Sequence, residues 1–330
     1  MDLQASLELA LVNLTSPPVL AFVLGLVAVA LRTDLRLPDA VYQATSMYLL
    51  LAIGLKGGVA LRESSPSAIA LPIAATLVLG VVIPLAAFAI LRIVTRLSRV
   101  DRGAMAAHYG STSLVTFTAA LVFLEEAGIS FEGFVATLLT VLEIPGIIVG
   151  LLLAGSMMRS GESWRHALRE IILSRSILLL VGGLLIGLLA GPAGYARVEP
   201  LFGALFVGVL SLFLLELGVL TGRRLGDVRS AGIGLFVFAV AFPVLAATVG
   251  ITAGLLVGLS TGGATVLGVL CGSASYIAAP AAVRLALPEA NPGITLATSL
   301  GVTFPFNLVI GIPLYVLIAQ GLANAGLGAG

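Results

Sequence analysis

Gly110-Ser111-Thr112-Ser113 places glycine and small hydroxyl residues in the middle of an apolar segment that is long enough to cross a bilayer. A second stretch of this kind, Gly272-Ser273-Ala274-Ser275, follows at an offset of 162 residues (110 to 272). A spanning helix normally carries leucine at such positions, so each stretch predicts a break in a membrane helix. Two breaks at matching places in two halves of a membrane protein predict a solute site between them.

The composition excludes an ordinary water-soluble domain. Of the 330 residues, 59% are hydrophobic and 10% are charged, and the mean hydropathy is +1.16. Soluble domains carry about 25% charged residues, so we predict an all-α polytopic membrane protein. The net charge of +1 argues against nucleic-acid binding, and a single cysteine excludes an intrachain disulfide. Two distant histidines indicate no metal centre, and no cofactor is expected.

About ten apolar segments approach the length of roughly 20 residues that a spanning helix needs. Short polar stretches separate them. Their predicted bounds are 17–33, 39–59, 66–95, 102–123, 132–157, 174–191, 198–221, 229–253, 261–286 and 294–320.

The basic residues predict the orientation of these spans. The loops after the odd-numbered spans share one side of the membrane and hold most of the arginines. The positive-inside rule assigns that side to the cytoplasm, so both termini should lie outside a bacterial inner membrane. The longest such loop, 158–173, is either a solvated connector or a docking surface for a soluble partner. The arginines concerned are Arg32, Arg36, Arg96, Arg99, Arg102, Arg159, Arg165, Arg169, Arg223, Arg224 and Arg229.

The two breaks belong to an internal repeat. Gly54-Leu55-Lys56-Gly57-Gly58 resembles Gly218-Val219-Leu220-Thr221-Gly222 at an offset of 164 residues (54 to 218). Five spans per repeat is an odd number, so the two halves enter the membrane from opposite sides. We predict a first inverted repeat over 1–157, a cytoplasmic connector over 158–173 and a second inverted repeat over 174–330, with the fourth and ninth helices broken.

The chemistry of a broken helix favours an anion. Its second half begins with unpaired N–H groups at the positive end of the helix dipole, and serine and threonine hydroxyls can donate to an oxyanion or bind a cation. Runs of small residues also mark tight helix packing, but the shared repeat offset favours a site. The predicted substrate-binding residues are Gly110, Ser111, Thr112, Ser113, Gly272, Ser273 and Ser275.

Polar side chains elsewhere in the spans are candidates for binding a coupling ion. Glu143 lies mid-span, where a carboxyl group is costly and marks a functional position by default. It could bind a cation, carry a proton, or stay protonated and bonded to a neighbouring helix; the same alternatives hold for Glu216. Thr303 and Asn307 lie at the matching place in the tenth span, where they either complete the site or serve kinking and packing.

Together these motifs resemble the sodium-dependent bicarbonate transporter family first known in cyanobacteria. The resemblance rests on the glycine-rich motif at 54–58, the first break, Glu143-Ile144-Pro145 and Leu287-Pro288-Glu289-Ala290-Asn291-Pro292. It implies ten spans in two inverted five-helix repeats, a core domain that moves against a gate domain, a homotrimer, and symport of bicarbonate with sodium. It also implies that the two breaks hold the substrate and that a PII-like trimer binds the cytoplasmic side.

The chain departs from the cyanobacterial pattern at four places. Tyr276 stands in the place of an aspartate, Ala278 in that of a small hydroxyl residue, and Glu143 in that of an aspartate. The long cytoplasmic insertion is reduced to a short basic connector. We interpret the chain as a divergent, non-cyanobacterial member.

The first hypothesis is therefore a secondary active transporter that imports bicarbonate with sodium by alternating access, and not an enzyme. The alternative is a transporter of another small carboxylate or oxyanion, with proton coupling through Glu143. Two remote alternatives are an intramembrane protease that uses Ser273 with His108, and a membrane sensor. The repeat gives no reason for a serine–histidine pair, and the short loops give little room for a signalling domain.

Overall fold

The computed structural model describes residues 11–33, 35–155, 169, 172–228 and 232–328. All regular secondary structure in these residues is helical. The predicted connector over 158–173 lies almost entirely outside the described residues, so its predicted role as a docking surface is not addressed by the structure. Both ends of the chain also lie outside the described residues.

The main helices are numbered in chain order. The last of them contains π-helical turns at Ser299–Thr303 and Asn307–Gly311. They are α1 (Pro17–Ala30), α2 (Asp39–Glu63), α3 (Pro66–Val94), α4 (Arg99–Gly110), α5 (Leu114–Glu126), α6 (Val135–Ala154), α7 (Arg175–Tyr195), α8 (Phe206–Val228), α9 (Ile233–Leu256), α10 (Thr261–Cys271), α11 (Ala278–Ala286) and α12 (Pro292–Asn324).

Eight helices in the described part of the chain are long and apolar enough to cross a membrane. One of the eight is the broken helix Arg99–Glu126, which comprises α4 and α5. The predicted first and ninth spans correspond to the shorter apolar helices α1 and α10. Helix α10 is short because the chain leaves it after Cys271 and resumes as α11 at Ala278. The fold is that of an all-helical, polytopic membrane protein.

Serine caps begin the helices that lead into both breaks. The Ser98 hydroxyl accepts the Asp101 N–H at 3.0 Å at the start of α4, and the Ser260 hydroxyl accepts the Gly263 N–H at 3.0 Å at the start of α10. A cap of this kind stabilises a helix by about 1 kcal/mol. The two caps are 162 residues apart (98 to 260), which is the offset of the two Gly-Ser motifs.

Glycines let two pairs of helices approach closely. Helix α2 packs along α7, and α1 packs along α8. A Cβ built on Gly54 would lie 2.9 Å from the Gly183 Cα, and one built on Gly25 would lie 2.9 Å from the Gly218 Cα. Real side chains do not fit at such distances, so these crossings require glycine, as in other tightly packed membrane helices.

The broken helix α4–α5 lies at the centre of the fold. Of its most apolar 18-residue stretch, 89% is buried inside the protein, against 33% for α3. Helices α3 and α6 pack on α4, and helices α9 and α12 pack on α10. Both breaks are therefore enclosed by protein, which is where non-helical backbone is tolerated at membrane depth.

Glu216 of α8 has a structural partner. Its carboxylate accepts the Leu37 N–H at 2.7 Å and lies 3.9 Å from Nε of Arg36. These contacts tie the connection between α1 and α2 to α8, so the buried charge is paired and hydrogen-bonded.

Candidate functional site

The first break separates α4 from α5 at residues 111–113. Ser111 (φ −93°, ψ −175°) and Ser113 (φ −100°, ψ 109°) both have extended backbone. Gly110 ends α4 against a neighbouring helix: a Cβ built on Gly146 of α6 would lie 1.7 Å from the Gly110 carbonyl oxygen. Gly110 therefore lies in a tight helix contact directly before the break.

Ser113 is the centre of a hydrogen-bond network. Its hydroxyl oxygen accepts the N–H of Thr116 at 3.2 Å and the hydroxyl of Thr116 at 2.9 Å, and it donates to the hydroxyl of Tyr276 at 3.2 Å. Its backbone N–H donates to the Ser273 hydroxyl at 2.9 Å. Ser113 thus caps α5 and joins the first break to the second.

The second break, residues 272–277, is fixed by its own serines. The Ser273 hydroxyl donates to the Leu270 carbonyl at 2.9 Å. The Ser275 N–H donates to the His108 carbonyl at 2.8 Å, and the Ser275 hydroxyl oxygen accepts the Ala279 N–H at 3.1 Å. These bonds make the two breaks one connected unit, as the repeat predicts.

A small pocket, with a cavity volume of about 20 Å³, opens at this unit. We term it the break pocket. Its walls combine hydroxyl groups from both breaks with one carboxyl group and several apolar side chains. The lining residues are Leu50, Thr112, Ser113, Leu114, Leu139, Glu143, Ser176, Ser275, Tyr276, Ile277 and Ala278.

Two helices begin at the wall of the break pocket. Helix α5 starts at Leu114 and helix α11 starts at Ala278, and both residues line the pocket. The first N–H groups of a helix have no partner within it, and the helix dipole places a partial positive charge there. Both helix starts therefore favour negative charge in the same small space.

Three hydroxyl groups on the pocket wall keep a proton to donate. Tyr276 accepts a hydrogen bond from Ser113, and Ser275 accepts one from Ala279, so neither has donated its own proton in these bonds. The Thr112 hydroxyl makes no hydrogen bond to another described residue. Hydroxyl donors of this kind complement the oxygen atoms of an oxyanion.

Glu143 supplies the carboxyl group of the break pocket. It lies on α6, is 5% exposed and makes no hydrogen bond within the described part of the chain. An isolated buried carboxylate is costly unless it is protonated or paired with a cation. The structure thus places Glu143 beside Thr112, Ser113 and Ser275.

The other predicted site residues lie outside this pocket. Ser111 is 1% exposed, and its hydroxyl has no partner among the described residues. The Gly272 carbonyl accepts the Asn307 amide at 2.8 Å. The Thr303 hydroxyl donates to the Ala239 carbonyl at 2.7 Å and lies 2.6 Å from the Tyr109 hydroxyl. Thr303 and Asn307 therefore bond to the framework of the fold in this structure, and their role in ion coupling stays a prediction.

The sequence does not predict several of the wall residues, among them Ser176 and Leu50. Ser176 lies in the first turn of α7, and Leu50 lies on α2. Ser176 follows the capping residue Ser174, so its sequence context indicates only a helix start. Leu50 lies in an ordinary apolar span. Only the packing of α2 and α7 against the breaks brings these side chains to the pocket.

The fold and the pocket define a class: a polytopic helical membrane protein with two broken helices around a small polar pocket. The family model described as the Na⁺-dependent bicarbonate transporter superfamily matches residues 17–320. The chain belongs to this superfamily, which confirms the resemblance drawn from its motifs. No curated protein matches the chain.

Proposed function

We propose that this protein is a secondary active transporter that imports bicarbonate together with sodium by alternating access. The observation that carries the proposal is the convergence of two helix starts and three hydroxyl donors on one pocket. Helix starts favour an anion, and the hydroxyls can donate to its oxygen atoms. Bicarbonate is a small oxyanion, and the superfamily takes its name from this substrate.

Glu143 gives a physical reason for cation coupling. A carboxylate and a bound anion repel each other in a small pocket that is shielded from water. A sodium ion beside the carboxylate, or a proton on it, removes this repulsion. The cation and the anion then favour each other's binding, which is a coupling free energy between two sites. Sodium suits a wall of carboxyl, hydroxyl and carbonyl oxygen atoms, which are the ligands that hard cations prefer.

The inverted repeat is part of the proposal, with ten spans in two halves of five. Support comes from the serine caps at Ser98 and Ser260 and from the two breaks, all at the same offset. The repeat also relates the two glycine crossings to each other. Gly54 of α2 corresponds to Gly218 of α8 at an offset of 164 residues (54 to 218), and each meets a glycine of the other half.

We base the proposed division into two domains on the packing of the helices. Helices α1, α2, α7 and α8 pack pairwise through glycines, and we assign them to the gate domain. Helices α3–α6 and α9–α12 surround the breaks, and we assign them to the core domain. In this proposal the core carries the bound anion past the gate, so the break pocket opens to one side of the membrane at a time.

The proposal extends to assembly and location. We assign the protein to a bacterial inner membrane with both termini outside, because the arginine-rich loops share one side. A homotrimer follows from the resemblance alone. A PII-like regulator would bind the cytoplasmic side, to which the connector over 158–173 is assigned. That connector lies almost entirely outside the described residues.

The test is bicarbonate uptake into proteoliposomes, with empty liposomes as the control for carbon dioxide leakage. Uptake is measured with an inward sodium gradient, with equal sodium on both sides, and with a proton gradient in sodium-free buffer. We expect the sodium gradient to stimulate uptake. Uptake that ignores sodium would contradict sodium coupling, and the absence of any uptake above the leak would contradict the substrate.

The Glu143→Gln variant tests sodium coupling separately from the identity of the substrate. The amide cannot hold the charge that attracts a cation, so we expect bicarbonate flux that no longer responds to the sodium gradient, or no flux. Glu216→Gln is the matched control, since Glu216 is equally buried but binds the connection between α1 and α2. It should keep the sodium response.

A second candidate is proton-coupled transport of bicarbonate or another small carboxylate or oxyanion. The observation in its favour is that Glu143 is the sole carboxyl among the residues that line the break pocket, because the neighbouring Tyr276 is neutral. A protonated Glu143 would remove the repulsion as a sodium ion does. Competition of unlabelled formate, acetate and nitrate against labelled bicarbonate, with and without sodium, distinguishes the candidates.

A further inference from the structure

A second pocket, with a cavity volume of about 180 Å³, lies beside the break pocket. We term it the lysine pocket, because its wall carries one lysine among mostly apolar side chains and one glutamate. The lining residues are Ile53, Lys56, Gly57, Ala60, Leu121, Val122, Glu125, Phe131, Gly133, Val135, Ala136 and Phe206.

The same three helices, α2, α5 and α6, line both pockets. Helix α2 lines the break pocket with Leu50 and the lysine pocket with Ile53, three residues further along. Helix α6 lines the first with Leu139 and the second with Ala136. Helix α5 contributes to both walls. A helix advances about 5.4 Å per turn, so the two pockets are separated by about one turn on α2 and α6.

Small residues form the contact between helices α2 and α6 beside these pockets. A Cβ built on Gly57 of α2 would lie 2.6 Å from the Ala136 Cβ of α6, and one built on Gly133 would lie 2.4 Å from the Ala60 Cβ. Helices α2 and α6, which we assign to different domains, thus touch through glycine and alanine. Such a contact contains no large side chains that would interlock the two helices.

Lys56 provides positive charge at the wall of the lysine pocket, where its side chain is exposed. Its ammonium group lies 5.1 Å from the centre of the Phe206 ring, in a cation–π contact. It makes no ion pair within the described residues. Glu125 also lines this pocket and provides the opposing charge from α5. A cation within low-dielectric walls concentrates small anions and raises their rate of arrival.

We propose that the lysine pocket and the break pocket are successive parts of one anion path. Lys56 concentrates anions in the lysine pocket. Leu50 and Leu139 line the break pocket, and Ile53 lines the lysine pocket one turn further along α2. The identity of the anion rests on the proposed function, whereas the path and the role of Lys56 rest on the two pockets.

The role of Lys56 can be tested without transport. Leu121→Cys places a thiol on the wall of the lysine pocket, while the native Cys271 is buried. The protein in nanodiscs is treated with anionic and cationic methanethiosulfonate reagents, and the ratio of the two labelling rates is measured. We expect Lys56→Gln to lower the anionic-to-cationic ratio about threefold or more, and Glu125→Gln to raise it.

Two variants control this measurement. Lys56→Arg keeps the charge and should keep the ratio. Arg62→Gln removes a positive charge from the same helix, but its guanidinium donates to the Leu188 and Leu189 carbonyls and does not line either pocket. It should change the ratio far less than Lys56→Gln. An equal ratio before and after Lys56→Gln would overturn the role of Lys56.

The path is tested by flux after labelling. Complete labelling of the Leu121→Cys variant should abolish bicarbonate uptake, whereas labelling of Ser67→Cys, at the exposed start of α3, should leave uptake intact. Unchanged uptake after labelling at 121 would overturn the path. If the charge ratio responds as expected but unmodified protein moves no bicarbonate, the role of Lys56 stands and the proposed function fails.

Discussion

The two breaks use their hydroxyl groups differently. The first break is three residues long, and its Ser113 is fully engaged in capping α5 and bonding to Thr116 and Tyr276. The second break is six residues long, from 272 to 277, and its Ser273 is engaged with the backbone of Leu270 and Ser113. The serines at the centre of the motifs therefore build the frame of the site.

The hydroxyl donors that line the pocket come from residues other than Ser113 and Ser273. The first break offers Thr112, and the second offers Ser275 and Tyr276. Tyr276 is a neutral donor, so the second break contributes no charge to the break pocket. The carboxyl group of the site comes instead from Glu143 on α6. The comparison teaches that each break holds the other in shape, and that the hydroxyl donors and the carboxyl group of the break pocket come from different elements.

The largest effect is expected from Ser113→Ala. This change removes the cap of α5 and the bonds to Thr116 and Tyr276, so the two breaks lose their shared centre. We expect a stability loss of about 1 kcal/mol from the cap and bicarbonate uptake well below one-tenth of the wild-type rate. Thermal unfolding and proteoliposome flux measure the two effects.

Ser174→Ala is the matched control for this prediction. Ser174 caps α7 by accepting the Ile177 N–H at 3.3 Å, and it lies outside the break pocket. It should cost similar stability and leave uptake near the wild-type rate. Equal flux losses in both variants would show that Ser113 acts through stability alone.

Tyr276→Phe should have the next largest effect. It removes one hydroxyl donor from the pocket and leaves the ring packed on Phe304, whose centroid is 5.3 Å away. A hydrogen bond to a charged group contributes about 1.5–3 kcal/mol, so the apparent affinity for bicarbonate should fall by about tenfold or more. Tyr315→Phe, which removes a hydroxyl bonded to Asn307, should leave the affinity unchanged. An unchanged KM in Tyr276→Phe would exclude Tyr276 as a ligand.

Ser273→Ala should have a smaller effect on affinity than Tyr276→Phe. The Ser273 hydroxyl bonds to the Leu270 carbonyl and the Ser113 N–H and does not line the pocket. Its loss leaves the buried Ser113 N–H without this partner, which costs about 1–3 kcal/mol of stability. We expect a lower unfolding temperature and a lower maximal rate with a similar KM. A large rise in KM alone would mean that Ser273 binds the anion directly.

Ser111→Ala should have the smallest effect. The Ser111 hydroxyl is buried and has no partner among the described residues, so its removal leaves no bond unmade. An unpaired buried hydroxyl costs free energy, so the unfolding temperature should stay the same or rise. Uptake should stay within about twofold of the wild-type rate. A strong loss of uptake would place Ser111 at the substrate, as the sequence motif alone predicts.

Much of the fold could be predicted because its causes are local. Glycine and small hydroxyl residues at 110–113 and 272–275 interrupt the apolar pattern of their spans, and their shared offset predicts a repeat. Gly54 and Gly218 were recognised as a repeated motif, but their partners Gly183 and Gly25 were not. Nothing in an apolar segment shows which neighbouring helix a glycine will meet.

The site could be predicted only in part. Ser113, Thr112 and Ser275 were named from the motifs, and they lie at the break pocket. Thr303 and Asn307 were named from their position in the second repeat, but the π-helical turns of α12 turn their side chains to framework partners. Hydrogen-bond satisfaction of this kind depends on tertiary contacts, which a single sequence does not display.

The central claim is that the two breaks form one anion site with its donors on Thr112, Ser275 and Tyr276. The most direct measurement is a structure of the protein in a lipid nanodisc at saturating bicarbonate, compared with one in bicarbonate-free buffer. We predict new density in the break pocket within hydrogen-bond distance of these three hydroxyl groups. Density bound elsewhere, or an unchanged break pocket under conditions that support uptake, would contradict the account.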